Sequence, residues 1–171
     1  MWHQQRRTHR LLRQLEFDLP MPLTVQALVA ALEAVRHRRI QFVAMSVEQT
    51  GPCGLWVATG ETDYVLYGRD SPPILRLQTI LHELMHIALR HAGHAALSWG
   101  TGQVAGLDDT PTEVVLARST SAFGEQQEHD AELLATYLGA RLDGGDQVGA
   151  FEDLADATAA VMYRIAAVLA E

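Results

Sequence analysis

His82, Glu83 and His86, in the run His-Glu-Leu-Met-His, constrain the fold more than any other part of this chain. Positions i and i+4 of a helix lie one turn apart on one face. Two imidazoles at that spacing can share a metal ion, and the Glu between them can reach a water on that ion and take its proton. The run therefore requires a helix with a covered polar face and a third ligand from elsewhere. Its flanks supply the helix. Ser71-Pro72-Pro73 is a start signal, and Leu77, Leu81, Leu84, Ala88 and Leu89 keep helical spacing through residues 74–91. With eight His and eleven Glu in 171 residues, chance alone would produce such a run in roughly one chain in forty. The third ligand is therefore the test.

The 171 residues fit a single domain, 1–171, with a basic helical segment at about 1–20. Hydrophobic residues make up 48% and charged residues 20%, the balance of a globular protein with its own core. The lone Cys53 cannot form an internal disulfide, which suits a reducing compartment. No apolar run is long enough for a transmembrane helix, so no membrane partner is expected. Arg6-Arg7 is not followed by the apolar stretch of an export signal. A cytoplasmic location is expected. Every basic residue other than His is Arg, and Lys and Asn are absent, the usage of a GC-rich bacterial coding sequence.

Charge is unevenly spread. The net charge is −8; residues 1–39 hold seven Arg against three acids, and the remainder holds six Arg against eighteen acids. An acidic body argues against nucleic acid as the main ligand. The basic N-terminus reads as a solvated face. A helix-turn-helix built from the two N-terminal helices is disfavoured by the Asp18–Pro22 break.

The remaining pattern predicts an α+β fold. A short helix over 3–16 is broken at Asp18-Leu19-Pro20-Met21-Pro22. A second starts at Thr24, a good N-cap, with Val25, Leu28, Val29, Leu32 and Val35 in helical phase. Strands are expected at 40–47, 55–59 and 64–67, with Gly60-Glu61-Thr62-Asp63 as a hairpin turn. Together they predict a small three-stranded antiparallel sheet. Residues 92–124 read as a long loop with a short strand at Val114–Ala117. A helix from Glu125 to about Leu142, ended by Gly144-Gly145, and a packing helix over 147–170 complete the chain.

A catalytic zinc site takes three protein ligands and keeps one position open. Ala92 and Ala96 stand where an extended His motif would need its third ligand. His91 is half a turn out of phase with His86 and reads as a surface or capping residue, while His94 reaches the site only if the chain turns back at Gly93. The alternative is a carboxylate from the run Glu128-His129-Asp130-Ala131-Glu132. Ala131, Leu134, Ala135 and Leu138 mark its buried stripe. Glu128 borders that stripe, whereas Asp130 and Glu132 lie farther round, so helical phase favours Glu128 over Asp130.

His-Glu-Leu-Met-His followed by Glu128-x-x-Ala131-Glu132-x-Leu134-Ala135 resembles the ImmA/IrrE-type metallopeptidases over about residues 40–140. The resemblance implies a zincin-like minimal domain, with the active-site helix packed on the sheet and further helices following. It implies His82, His86 and Glu128 as zinc ligands, Glu83 as general base, and Glu132 as a residue orienting a ligand His. His91 matches a His that often follows the family's active-site helix. The implied activity is zinc-dependent hydrolysis of peptide bonds in a protein partner, with a separate helix-turn-helix regulator as the partner class. A metal-binding interaction component without proteolytic activity is the alternative. His91, His94, Tyr64 and Tyr67 are candidate oxyanion donors, and the Tyr64–Tyr67 strand is a candidate edge for peptide addition.

Overall fold

The computed structural model describes residues 2–45, 54–58, 60–91, 116–119 and 124–142, which form an α+β fold. In chain order the elements are α1 (Trp2–Leu12), α2 (Val25–Arg36), β1 (Arg39–Met45), β2 (Gly54–Ala58), β3 (Thr62–Gly68), α3 (Pro73–Ala88), β4 (Leu116–Ser119) and α4 (Glu125–Gly139). No helix among the described residues is long and apolar enough to cross a membrane. The segment expected as a packing helix over 147–170, most of the 92–124 segment, His94 and Cys53 lie outside the described residues.

Local signals set the helix starts. The Thr24 side chain accepts a hydrogen bond from the Ala27 N–H at 3.1 Å, so it caps α2 as expected. Pro73 opens α3, where its missing N–H has no helical partner to lose. Glu125 and Glu128 occupy the first turn of α4, where the helix dipole favours negative charge. That helix stops at Gly139 rather than near Leu142. A Cβ at Gly139 would lie 3.4 Å from Leu81 Cδ1, so the glycine sits where α4 approaches α3 closely.

The sheet order is β1-β3-β2-β4. The β2–β3 pair is antiparallel, as the hairpin predicted. The other expectations for the sheet need correction. β1 runs parallel to β3, and β4, which overlaps the short strand expected at Val114–Ala117, joins the sheet as a fourth strand antiparallel to β2. Burial explains the order. Asp63 through Gly68 are buried without alternation, the signature of a strand covered on both faces and flanked on both edges. β3 therefore takes the central position between β1 and β2. Its backbone is already paired, which removes Tyr64–Tyr67 as an edge for peptide addition.

One face of the sheet carries Ile40, Trp56, Val65 and Tyr67, in register across the three strands. It meets α3, whose residues Ile80, Leu81, Leu84 and Ile87 belong to the same core. α4 covers the other side of α3 with Ala131, Leu134, Ala135 and Leu138. The His-Glu-Leu-Met-His run is thus carried on a helix held between a sheet and a second helix.

Asp63, expected in the hairpin turn, is instead fully buried in β3. Its Oδ2 accepts from Arg36 Nε and Arg38 Nε, each at 3.1 Å, and its Oδ1 accepts from Trp56 Nε1 at 3.1 Å. Arg38 also donates to the Gly60 carbonyl at 2.8 Å, tying the end of α2 to the β2–β3 turn. Replacing Asp63 with Ala removes the acceptor for all three donors and is expected to cost about 3 kcal/mol. Urea unfolding measures it, with Thr24→Ala, expected to cost about 1 kcal/mol, as the reference. A loss no greater than that of Thr24→Ala would show that the buried network adds little.

Candidate metal centre

Helix α3 presents His82 and His86 one turn apart, and α4 brings Glu128 over both. Ala131 and Ala135 allow this approach, because both small side chains are fully buried one and two turns beyond Glu128. His82 Nε2 lies 3.0 Å from His86 Nε2. One Glu128 oxygen lies 3.3 Å from His82 Nε2 and the other 3.6 Å from His86 Nε2. Donors bound tetrahedrally at about 2.0–2.1 Å stand about 3.3 Å apart; the two imidazole nitrogens, and the nearer Glu128 oxygen on each of them, lie close to that separation. The three residues form a group able to hold a metal ion. Glu128 Oε1 is buried with no hydrogen-bond partner among the described residues, an orphaned acceptor that a cation would satisfy.

The other two acids of the Glu128–Glu132 run take different places. Asp130 pairs with Arg7 of α1 at 2.6 Å and accepts from Gln126 Nε2 at 3.2 Å. It is therefore committed to docking the basic N-terminal helix, and it is not part of the three-residue group. Glu132 places an oxygen 3.4 Å from His82 Nδ1. Gln78 Nε2 and Thr136 Oγ1 hold the other Glu132 oxygen, each at 3.3 Å. Glu132 thus stands behind the His82 ring, on the side away from Glu128.

Glu83 is 2% exposed and lies against β2. Gly54 makes this possible: a Cβ there would overlap Thr79 Cγ2 and stand 3.0 Å from Glu83 Oε1. Burial pushes the Glu83 carboxyl up to about 8; the charge of Glu128 adds to the shift, and a hydrogen bond from the Trp56 backbone opposes it. Burial also raises Glu128, while His82 pulls it down and Glu132 pushes it up. A cation between the ligands would lower both carboxyls. A buried Glu83 and a part-exposed Glu128 beside two imidazoles form an arrangement suited to binding a cation.

The oxyanion candidates separate. Tyr64 is one residue out of register with the α3-facing positions of β3, so it projects from the opposite face of the sheet. Tyr67 is buried and paired across the ladder with Gly54. His91, expected at the surface, is buried, with its Nδ1 3.0 Å from His86 Nδ1. Periodicity could not reveal that contact, because it forms after the helix ends.

Comparison of the chain with protein-family models, with curated proteins and with solved structures finds no match.

The Glu83 shift fixes a sign for stability. The folded state binds this proton more tightly than an unfolded chain does, whose carboxyl titrates near 4.5. Its contribution is therefore complete below pH 4.5 and is lost as pH rises to about 8. The slope is about 1.4 kcal/mol per pH unit within that window. Glu83→Gln is neutral throughout and is expected to flatten most of this slope in metal-stripped protein. Urea unfolding across the window measures it, and an unchanged slope in the variant would contradict the assignment.

Proposed function

We propose that the chain is a zinc-dependent endopeptidase of the ImmA/IrrE type, hydrolysing peptide bonds in a protein partner. The carrying observation is the convergence of His82, His86 and Glu128, with the orphaned Glu128 oxygen among them. A two-imidazole, one-carboxylate donor set suits zinc. The motif resemblance supplies the reaction class and points to a helix-turn-helix regulator as the substrate class. Charge supports a protein target over nucleic acid, since the chain carries −8 overall.

When bound, zinc supplies a Lewis acid that acidifies water and polarises the scissile carbonyl. The protein does the rest. His82, His86 and Glu128 hold the ion, and Glu132 keeps the His82 ring aligned. Glu83 accepts the proton of the attacking water on its carboxylate and passes it to the amide nitrogen as the C–N bond breaks. A carboxyl displaced toward 8 by its surroundings, then lowered by a neighbouring cation, is a base matched to neutral pH. The buried seat against Gly54 keeps it from turning into solvent.

Glu83→Gln separates this reading from a metal-binding interaction component. The variant is expected to bind zinc as wild type does and to lose at least about 100-fold in cleavage rate. Profiling of new protein N-termini in cells producing each form measures the difference. Termini that appear only with wild type, and vanish on chelation, are expected. Identical profiles with zinc bound in both forms would remove the peptidase reading and leave the interaction component.

A further inference from the structure

Helix α3 ends in a turn that carries the chain back onto one of its own candidate ligands. Leu89 caps the helix, and Arg90 adopts φ +51°, in the left-handed region. The Arg90 N–H donates to the Ile87 carbonyl at 3.1 Å and the His91 N–H to the His86 carbonyl at 3.0 Å. These two bonds around a left-handed residue make a Schellman turn. Gly usually holds the left-handed position; Arg there costs about 1 kcal/mol. Glu16 pairs with the Arg90 guanidinium.

Such turns often pack the residue after the left-handed one on the third residue from the helix end, through apolar contact. Here those two residues are His91 and His86. Their Nδ1 atoms are 3.0 Å apart, their rings meet edge to face at 71°, and both side chains are buried. Two ring nitrogens at this distance are held by one proton or by a shared cation, since two lone pairs or two N–H groups alone would repel; the His82–His86 pair takes the cation under the metal-site reading, and the His86–His91 pair takes the proton.

Which ring carries that proton follows from the other side of His86. Its Nε2 faces His82 Nε2 at 3.0 Å and Glu128 at 3.6 Å. An imidazole offering its Nε2 lone pair to a cation keeps its proton on Nδ1. The Nδ1 atom of His91 must then accept that proton, and His91 holds its own proton on Nε2. We propose that His91 is a positioning residue: its Nδ1 accepts the His86 Nδ1–H and so fixes the tautomer and ring orientation that present His86 Nε2 to the metal. The proposal rests on the metal-site reading above. Under it, the two ligand imidazoles are oriented by different acceptors, His82 by the exposed carboxylate of Glu132 and His86 by a buried neutral ring.

The test compares wild type, His91→Leu and His91→Asn as full chains. Zinc affinity is measured by competition with a chromophoric chelator, and thermal unfolding is followed on each metal-stripped protein. Leu keeps bulk without an acceptor, whereas Asn can present Oδ1 near the place of Nδ1. His91→Leu is expected to bind zinc roughly 10- to 100-fold more weakly, with metal-free unfolding close to wild type, and His91→Asn to stay within about threefold of wild type. Imidazole ¹⁵N shifts of zinc-loaded wild type, which need no variant, are expected to show His91 as the Nε2–H tautomer. The proposal is overturned if His91→Leu binds as tightly as wild type, if His91→Asn is as weak as His91→Leu, or if His91 carries its proton on Nδ1. A wild type that binds no zinc would instead overturn the metal-site reading itself, and the proposal with it.

Discussion

Burying Glu83 and His86 inside the molecule is the constraint around which the described structure is arranged. An ionisable side chain taken out of water costs several kcal/mol unless it is paired or changes protonation. Helix α3 bears both, 2% and 0% exposed, between a sheet and another helix. Each neighbouring element carries a feature that accommodates them. Strand β2 has no side chain at Gly54, where Glu83 needs room. Helix α4 has Ala at 131 and 135, so Glu128 can reach across to both His. The turn after α3 accepts a left-handed Arg90 and thereby delivers His91 to His86.

The protein interactions do not close the site completely. Burial pushes the Glu83 carboxyl up to about 8, and one buried oxygen of Glu128 has no donor among the described residues. In a fold stabilised by a modest margin, such features persist where another component completes them. A divalent cation between His82, His86 and Glu128 would satisfy the orphaned oxygen and draw both carboxyls down together. Stability and proposed chemistry thus depend on the same few atoms. The buried Asp63 cluster is the contrasting case: three donors satisfy one carboxylate, and together they tie α2 to the hairpin.

Much of the site was legible in the sequence because helices are local. The spacing of His82 and His86, the place of Glu83 between them and the phase of Glu128 beside Ala131 and Ala135 need only the 3.6-residue period. Strand order was less accessible. Alternation says which residues share a face, not which strands are neighbours, and β1 pairs parallel with β3 across an inserted connection. A signal was nevertheless present: Tyr64-Val65-Leu66-Tyr67 is apolar throughout, which suits a central strand better than an edge. Asp63 read as a turn residue because its partners, Arg36 and Arg38, arrive from another element. His91 read as a surface residue because its place depends on positive φ at an Arg, which carries no such signal in sequence.

The most direct test of the metal centre is anomalous diffraction at the zinc edge from crystals of the wild-type chain grown with zinc. One peak is expected within about 2.0–2.2 Å of His82 Nε2, His86 Nε2 and a carboxylate oxygen of Glu128. No peak among these three residues, or zinc bound with Asp130 in place of Glu128, would contradict the proposed centre.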